Sequence, residues 1–262
     1  MAQKMNPSKI TVEKIRAMKR RGEKIAALTA YDFPTAKLLD EIGIPFLLVG
    51  DSLGMVVLGY PDTTRVTMAE MEHHVRAAAR ARPNALLGAD LPFKSYETIS
   101  DVVANAKKLI SAGAEFVKAE GGVEILPQVR AILKNGIPFC GHLGMLPQHV
   151  LEEGGYKIKG KLDAEHQKLL ADAKLLADAG AFAIVLELVT PPVAKEISEK
   201  FSVPTIGIGS GADCDGQILV TPDLIGMFPW FRPRFVKPLA DCAAQIRSAV
   251  SAWKKSVENP AK

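Results

Sequence analysis

Four acidic residues each stand where a short apolar run of the chain ends. They are Asp51, Asp90, Glu120 and Glu187. Such runs are typical of buried parallel strands, and the carboxyl ends of parallel strands lie together at one edge of a sheet or barrel. Carboxylate oxygens are the ligands that a hard cation such as Mg²⁺ prefers. The four acids therefore predict an enzyme whose site lies at converging strand ends around a divalent cation.

The predicted metal ligands are Asp51, Asp90 and Glu120. Without a cation, three neighbouring carboxylates would raise one another's pKa values, because each disfavours the charged form of the others. Mg²⁺ removes this conflict and keeps coordination positions for water and for substrate oxygens. Each acid has an alternative role as the N-cap of the helix that follows its strand. The occurrence of all three favours the metal site.

Lys118 and Glu120 lie two residues apart on one predicted strand, so both side chains point to the same face. Lys118 is then a counter-charge for an anionic substrate, half of a structural Lys–Glu pair, or a Schiff-base nucleophile if its pKa is depressed. Nearby carboxylates raise the pKa of a lysine, which argues against the nucleophile. We therefore expect Lys118 to bind an anion.

Glu187 and His142 end two further predicted strands. The apolar neighbours of Glu187 predict a raised pKa and a general base, with an N-cap or a fourth metal ligand as alternatives. His142 is a candidate metal ligand, substrate contact or satisfied core residue, and we favour substrate contact because oxygen ligands are already present. Zinc would require more His or Cys than the chain places here.

Two glycine-containing segments are less specific. Residues 207–211 (Gly-Ile-Gly-Ser-Gly) predict either a turn whose backbone N–H groups hold an anion or a simple tight turn. They match neither a P-loop nor the dinucleotide-binding GxGxxG pattern. Residues 154–161 are rich in Gly and Lys and predict either a mobile basic flap or an ordinary exposed loop.

Eight short runs alternate with longer helical stretches and are apolar throughout, as expected of parallel strands covered by helices. The predicted strands span residues 25–30, 46–50, 85–90, 115–120, 137–142, 182–187, 204–209 and 217–220. Eight strands with site residues at their carboxyl ends favour an α/β fold of the (β/α)8 TIM-barrel type. A doubly wound sheet would instead gather its site at one switch point, fed by fewer strands.

Helical patterns fill the intervals between these strands. Helices are predicted over 68–82 after the N-cap Thr67, over 98–112 before Gly113, and over 164–179 before Gly180. Residues 1–24 predict a leading helix that covers the bottom of the barrel, and residues 239–257 a final helix. Because no linker or shift in composition interrupts the chain, we expect a single domain over residues 1–262.

The composition excludes several functional classes. The 262 residues are 48% hydrophobic and 24% charged, with a net charge of +4 and no basic stripe, and only 6% are aromatic. No nucleic-acid partner is expected, because both a charged footprint and stacking platforms are missing. No apolar run approaches the ~20 residues of a membrane span, and residues 1–9 lack the apolar core of a secretory signal. Three cysteines without paired spacing indicate a reducing compartment, so we expect a cytoplasmic protein.

These segments together resemble the ketopantoate hydroxymethyltransferase (3-methyl-2-oxobutanoate hydroxymethyltransferase) family across nearly the whole chain. Each motif is weak alone, but all of them in this order are highly specific. They are residues 29–32 (TAYD), 49–54 (VGDSLG), 89–93 (ADLPF), 117–122 (VKAEGG), 140–144 (CGHLG), 154–157 (GGYK), 185–187 (VLE), 206–211 (IGIGSG) and 215–220 (DGQILV).

The resemblance implies a TIM barrel that transfers a hydroxymethyl group from 5,10-methylenetetrahydrofolate to 3-methyl-2-oxobutanoate, giving 2-dehydropantoate through a Mg²⁺-stabilised enolate. It also implies a homodecamer in the bacterial cytoplasm. By position, Asp51, Asp90 and Glu120 match the family's Mg²⁺ site, Asp51, Ser52, Asp90 and Lys118 its contacts to the 2-oxo acid, and Glu187 its proton acceptor. Ala119 in place of Ile and Ser210 in place of Ala are small departures beside these positions.

Two other functions stay open at this point. One is a Mg²⁺-dependent carbon–carbon lyase or mutase of the phosphoenolpyruvate mutase and isocitrate lyase type, which also binds 2-oxo acids at strand-end carboxylates. A reactive loop cysteine would mark the lyase, but the three cysteines here lie in motifs of the other family. The second is a non-catalytic barrel, which would tolerate loss of Glu187 or of an acidic ligand, whereas this chain keeps every such residue.

Overall fold

The structure is a computed structural model and describes residues 9–259. Eight parallel strands pair in chain order and close into a barrel, which confirms the predicted fold class. The strands are β1 (Ile25–Thr29), β2 (Phe46–Val49), β3 (Leu86–Asp90), β4 (Phe116–Glu120), β5 (Phe139–Gly144), β6 (Ala183–Glu187), β7 (Thr205–Ile208) and β8 (Gly216–Leu219). Each predicted strand lies within two residues of an observed one at both ends. The largest shift is in β5, which starts after Pro138 because proline has no backbone N–H to donate to a strand ladder.

Helices connect the strands around the outside of the barrel. They are α1 (Val12–Arg20), α2 (Phe33–Ile42), α3 (Leu53–Val56), α4 (Met68–Ala79), α5 (Ile99–Ala112), α6 (Leu126–Lys134), α7 (Asp163–Ala179), α8 (Pro191–Lys200), α9 (Thr221–Leu224) and α10 (Cys242–Glu258). The predicted N-cap Thr67 and the predicted stops at Gly113 and Gly180 are confirmed. Thr67 is the N-cap of α4 and forms a reciprocal capping box with Glu70. Gly113 and Gly180 end α5 and α7 in the left-handed conformation that glycine adopts without steric cost.

The lower part of the barrel interior is filled with aromatic rings. Phe46 and Phe182 each pack against Phe116, with ring centroids 4.9 and 5.0 Å apart. Ile15 of α1 is fully buried in the same cluster, so the leading helix, observed over Val12–Arg20, packs against the barrel core. Residues 1–8 of the predicted helix lie outside the described residues. Phe116 begins the strand on which Lys118 and Glu120 follow at alternate positions, so the rings form a dry floor beneath the polar residues.

The described chain divides into two compact units between Ile218 and Leu219. In the second unit, the start of α10 is bonded to the end of α9, since Cys242 N and Ala243 N donate to Ile225 O and Gly226 O, each at 3.1 Å. The single domain expected over residues 1–262 stays a prediction. Within residues 9–259, no helix has both the length and the apolar composition to cross a bilayer. The expected lack of a secretory signal rests largely on residues 1–8, which lie outside the described residues.

Gly88 leaves the space that the Phe116 ring occupies. A Cβ at Gly88 would lie 2.0–2.3 Å from atoms of that ring, far inside van der Waals contact. We expect Gly88→Ala to lower the free energy of unfolding by about 1–3 kcal/mol, the usual cost of overpacking a core, as measured by urea denaturation. In a Phe116→Leu background, where the ring is gone, the same substitution should cost clearly less. Equal costs in both backgrounds would contradict this account.

Candidate active site

The strand register brings the predicted site residues together at the carboxyl ends of β2 to β6. Asp90 is paired with Lys118, and Glu120 with His142, on neighbouring strands. Glu187 ends the next strand, and Asp51 lies two residues after the end of β2, behind Gly50. Strand alternation then turns these side chains into the barrel, where all but Glu187 are 5% exposed or less. None of the four acids is an N-cap of a described helix, so the capping alternative is wrong for this part of the chain.

Asp51, Asp90 and Lys118 form one group of contacts. The backbone N–H of Asp51 donates to Asp90 Oδ2 at 3.2 Å, and Lys118 Nζ lies 3.2 Å from Asp90 Oδ1. Asp90 Oδ1 is nevertheless buried without a hydrogen bond. A Cβ at Gly50 would lie only 2.9 Å from Ser52 Oγ, although its 3.5 Å distance to Asp90 Oδ2 would be an ordinary contact.

A chain of contacts links Lys118 through His142 to Glu187. Lys118 Nζ lies 3.1 Å from His142 Nδ1, and because an ammonium can only donate, Nδ1 must be the acceptor. The neutral imidazole then carries its proton on Nε2, which lies 3.4 Å from Glu187 Oε2. The tautomer is thus inferred from the hydrogen-bond network. It places an N–H beside the carboxyl group predicted to be the base.

Burial raises the pKa values of all four site acids. Burial and then the charge of Asp90 raise the pKa of Asp51, and burial raises that of Asp90 although Lys118 opposes the shift. Burial, with Asp51, raises the pKa of Glu120 well above its usual range. Burial also raises the pKa of Glu187 to about 8, against the opposing effect of Lys118. The raised pKa predicted for Glu187 is therefore present in the folded chain.

The pKa values of Lys118 and His142 shift in opposite directions. Burial disfavours the ammonium of Lys118, but Asp90, Glu120 and Asp51 outweigh it and raise its pKa, which excludes a Schiff-base nucleophile. Burial, and then the positive charge of Lys118, hold the pKa of His142 well below its usual range. The imidazole is therefore neutral, as the tautomer argument requires.

The charges and donor atoms of the site fit a divalent cation. Three buried carboxyl groups and the half-buried Glu187 surround a single ammonium, and every one of the four has a raised pKa, so positive charge is missing. The donors are oxygens, and Asp90 Oδ1 has no hydrogen bond. Across residues 9–259, no group of three or more His, Cys, Asp or Glu side chains is already arranged to hold a metal ion. This arrangement suits Mg²⁺, which is usually held by few protein oxygens together with water and substrate.

Ser52 and the predicted turn over residues 207–211 both take part in hydrogen bonds. Ser52 begins α3 at the edge of the site, and its hydroxyl lies 2.8 Å from the Tyr31 hydroxyl. In the turn over residues 207–211, Ser210 donates to Leu186 O at 2.7 Å and accepts from Val189 N at 2.9 Å. This turn therefore supports the backbone that follows β6, and its predicted anion binding stays a prediction.

The loop over residues 154–161 lies near the site acids. Burial and then the charges of Glu187, Asp51 and Glu120 raise the pKa of Tyr156, whose hydroxyl contacts Met55 Sδ of α3 at 3.9 Å. Lys159 is anchored, because its backbone N–H donates to Leu188 O at 2.8 Å and its ammonium pairs with Glu153. The predicted basic flap is thus tied to the barrel at one of its lysines.

Sequence reasoning missed two buried residues that contact the acids, Gln148 and Tyr96. Gln148 donates its backbone N–H to Glu120 Oε2 at 3.0 Å and its side-chain amide to Asp51 Oδ2 at 2.7 Å. Tyr96 donates to Gln148 Oε1 at 2.6 Å. No local signal marks either residue: Gln148 lies four residues after the end of β5, and Tyr96 six residues after the end of β3.

Comparison with known proteins gives the family. Residues 9–261 match the sequence profile described as ketopantoate hydroxymethyltransferase. The chain belongs to the ketopantoate hydroxymethyltransferase family. The 3-methyl-2-oxobutanoate hydroxymethyltransferase of Syntrophus aciditrophicus strain SB is 51% identical over 253 residues, covering 96% of this chain and 93% of that protein. The enzyme of the same name from Moorella thermoacetica is 51% identical over 252 residues, covering 95% and 94%.

Solved structures of low identity share the barrel. The crystal structure of 2,3-dimethylmalate lyase, a member of the phosphoenolpyruvate mutase and isocitrate lyase superfamily, matches with a TM-score of 0.61 at 14% identity, covering 95% of this chain and 88% of that chain. A phosphonopyruvate hydrolase in complex with oxalate and Mg²⁺ matches with a TM-score of 0.60 at 16% identity, covering 94% and 85%. At these identities, the likeness shows that the ketopantoate hydroxymethyltransferase family shares this fold, and no more.

Glu187 should make stability depend on pH in the cation-free protein. Its pKa is raised from 4.5 to about 8, so the folded chain holds a proton that the unfolded chain loses, and stability falls as pH rises between these values. The fall is at most roughly 1.4 kcal/mol per pH unit. Glu187→Gln removes this ionisation. The variant should therefore be more stable than the wild type at pH 9, and nearly equal to it at pH 4.5, in urea denaturation with chelator.

The comparison of the wild type with Glu187→Gln isolates the ionisation of Glu187, because the other acids are present in both proteins. A stability difference that stays constant from pH 4.5 to pH 9 would contradict the raised pKa.

Proposed function

We propose that this chain transfers a hydroxymethyl group from 5,10-methylenetetrahydrofolate to 3-methyl-2-oxobutanoate, with water, giving 2-dehydropantoate and tetrahydrofolate. The two relatives at 51% identity carry the name of this activity. The observation that carries the proposal is the position of Glu187, a buried carboxyl group with a pKa of about 8 and a histidine N–H 3.4 Å away. Such a group can remove a proton next to a carbonyl at neutral pH.

The substrate anion is bound by groups already in the barrel. We assign Lys118 Nζ and the Ser52 hydroxyl to the 2-oxo acid, with Asp51 and Asp90 as further contacts. Lys118 is the only buried ammonium among the described residues of the site, and its raised pKa keeps it charged. Tyr31 holds the Ser52 hydroxyl on its other side. These contacts orient the substrate so that its C3–H bond faces the base.

Mg²⁺ is the proposed cation, with Asp51, Asp90 and Glu120 as its protein ligands. When bound, it polarises the keto oxygen of the substrate and stabilises the negative charge that develops there. The support is the shortage of positive charge among buried oxygens, described above. The related barrel of phosphonopyruvate hydrolase holds Mg²⁺ with oxalate, a small dianion. Methylenetetrahydrofolate is the proposed co-substrate, which the names of the relatives imply.

Glu187 performs the proton transfer. Its carboxylate takes the C3 proton, and the electron pair of that bond becomes the enolate of the 2-oxo acid. Lys118 holds the His142 ring in the tautomer that carries its proton on Nε2, which lies 3.4 Å from Glu187 Oε2 without forming a hydrogen bond there. Water breaks the methylene–nitrogen bonds of methylenetetrahydrofolate, which releases tetrahydrofolate and the one-carbon unit as formaldehyde. The enolate carbon then bonds to that carbon, and the C=O π pair of formaldehyde takes the proton from Glu187 to become the new hydroxyl group. The phenylalanine floor keeps water away from the inner side of the site.

The first half of this reaction is testable alone. In deuterated water, the single C3 proton of 3-methyl-2-oxobutanoate should exchange for deuterium in the presence of enzyme and Mg²⁺, and the methyl doublet in the proton NMR spectrum should collapse. Glu187→Gln should slow exchange by about 100-fold or more, the usual contribution of a general base. Chelator should have a comparable effect.

Glu152→Gln is the matched control, because Glu152 is an exposed acid that bonds to His149 and not to the site acids. It should exchange at the wild-type rate. Wild-type protein that shows no exchange, even with tetrahydrofolate added, would overturn the proposed function. Exchange that survives Glu187→Gln would remove Glu187 as the base.

The lyase and mutase alternative rests on the fold alone. Its structural relatives are 14–16% identical to this chain, against 51% for the hydroxymethyltransferases. Cys140, in the strand β5, is fully buried, and burial raises the pKa of its thiol to about 12. Cys214 is also buried, with a raised thiol pKa. Neither thiol has the low pKa or the exposure of a reactive loop cysteine.

We also propose that the protein is a cytoplasmic homo-oligomer, with ten subunits as the family resemblance implies. Free thiols at Cys140, Cys214 and Cys242 support a reducing compartment. The support for association is an apolar stripe on α10 at helical spacing, formed by the exposed side chains Ile246, Val250, Trp253 and Val257. Large apolar side chains on one helical face are typical of a protein interface.

A charge in this stripe should disrupt the assembly. We expect Trp253→Glu to lower the molar mass measured by size-exclusion chromatography with light scattering, because burying an unpaired carboxylate is costly. Ser248→Glu, on the opposite face of the same helix, should leave the mass unchanged. A wild-type mass equal to that of one 28.2 kDa chain would contradict the proposed oligomer.

A further inference from the structure

Gln148 has more contacts to the site acids than any role considered so far explains. It lies in a single 3₁₀ turn, Pro147–His149, after β5 and is 2% exposed. Its backbone N–H donates to Glu120 Oε2, and its side-chain Nε2 donates to Asp51 Oδ2 at 2.7 Å and to Leu91 O at 3.0 Å. One residue therefore bonds two of the proposed metal ligands, which are 69 positions apart in the chain.

Tyr96 determines which way the amide of Gln148 faces. The Tyr96 hydroxyl donates to Gln148 Oε1 at 2.6 Å. On the other side of the amide stand a carboxylate of Asp51 and the carbonyl of Leu91, both of which can only accept. A flipped amide would place its oxygen against two acceptors and leave only the Tyr96 hydroxyl to accept from its two N–H groups. The orientation seen here is thus the one in which every polar atom is satisfied.

We propose that Gln148 is a positioning residue for the divalent cation, and this inference rests on the proposed function. Its two donors engage one oxygen of each acid, Asp51 Oδ2 and Glu120 Oε2, and leave the other oxygen of each to a cation. The donors also stabilise both acids in the ionised form, which burial opposes. Hydrogen bonds to the side chains that bind a metal orient those ligands, and their loss typically changes metal affinity 10–100-fold.

A purely structural role for Gln148 would have a different consequence. The side chain would then serve only to satisfy buried polar groups, and its loss would lower stability without changing the affinity of folded protein for a cation. The distinguishing measurement is therefore cation binding to the free enzyme, with no substrate and no turnover.

The experiment measures Mn²⁺ binding by electron paramagnetic resonance, on wild-type protein and on Gln148→Met. Met has nearly the same shape and keeps the backbone N–H to Glu120, but it cannot donate to Asp51. We expect the Kd for Mn²⁺ to rise by about tenfold or more, with a changed spectrum of the bound ion. Gln128→Met is the matched control, because Gln128 donates to the backbone carbonyl of Glu97 at 3.1 Å. Its Mn²⁺ Kd should equal that of the wild type.

Tyr96→Phe gives a second, independent variant if Gln148→Met does not fold. It removes the hydroxyl that orients the amide and leaves Gln148 in place, so we expect a smaller rise in the Mn²⁺ Kd. If Gln148→Met folds, a wild-type Kd and spectrum for Mn²⁺ would overturn the inference. If Gln148→Met does not fold, a wild-type Mn²⁺ Kd in Tyr96→Phe would overturn it. An equal loss in Gln128→Met would also overturn it. Wild-type protein that binds no Mn²⁺ would overturn the proposed cation site together with this inference.

Discussion

The site depends on an unequal number of buried charges. Four carboxyl groups, Asp51, Asp90, Glu120 and Glu187, converge on one ammonium, Lys118. Burial makes ionised carboxylates unfavourable, so each of them has a raised pKa. The imbalance creates both properties that the proposed chemistry needs: a place for a divalent cation and a carboxyl group basic enough to take a carbon-bound proton. The same imbalance would destabilise the protein without a cation.

The rest of the barrel maintains this imbalance. The rings of Phe46, Phe116 and Phe182 fill the interior beneath the acids and keep it dry, which is why burial dominates the pKa shifts. Above the rings, hydrogen bonds from neutral donors share the negative charge. Gln148 serves two acids in this way. His142 Nε2 is buried without a hydrogen bond and lies 3.4 Å from Glu187 Oε2. Charge, burial and hydrogen bonding are thus parts of one arrangement.

The relation to distant barrels follows from the same geometry. Solved structures at 12–17% identity share this fold, and one of them is a phosphonopyruvate hydrolase in complex with oxalate and Mg²⁺. A closed parallel barrel presents all its strand ends to one space, so acids at those ends can meet whatever the rest of the sequence is. The fold therefore permits several reactions, and the residues beside the acids decide among them. Here the 51% identity of the relatives extends over nearly the full chain.

Much of this protein was predictable from its sequence, for a physical reason. Apolar runs of strand length, the stops at Gly113 and Gly180 and the cap at Thr67 are local signals, and they placed the strands within two residues. Acids at the ends of those runs then predicted the site, because closing a parallel barrel brings strand ends together. The β5 boundary shows the limit of such reasoning, since an apolar Ile137-Pro138 start has the right composition but lacks the N–H that a ladder requires.

Only the tertiary structure decided which groups share a proton or a hydrogen bond. Gln148 and Tyr96 are ordinary polar residues in the sequence, 97 and 45 positions from Asp51, and nothing local marks them. The tautomer of His142 and the pairing of Lys159 with Glu153 likewise depend on side chains that barrel closure and loop packing bring within about 3 Å. Strand order follows from patterns of a few residues, whereas a hydrogen bond depends on atomic distances that only the folded chain determines.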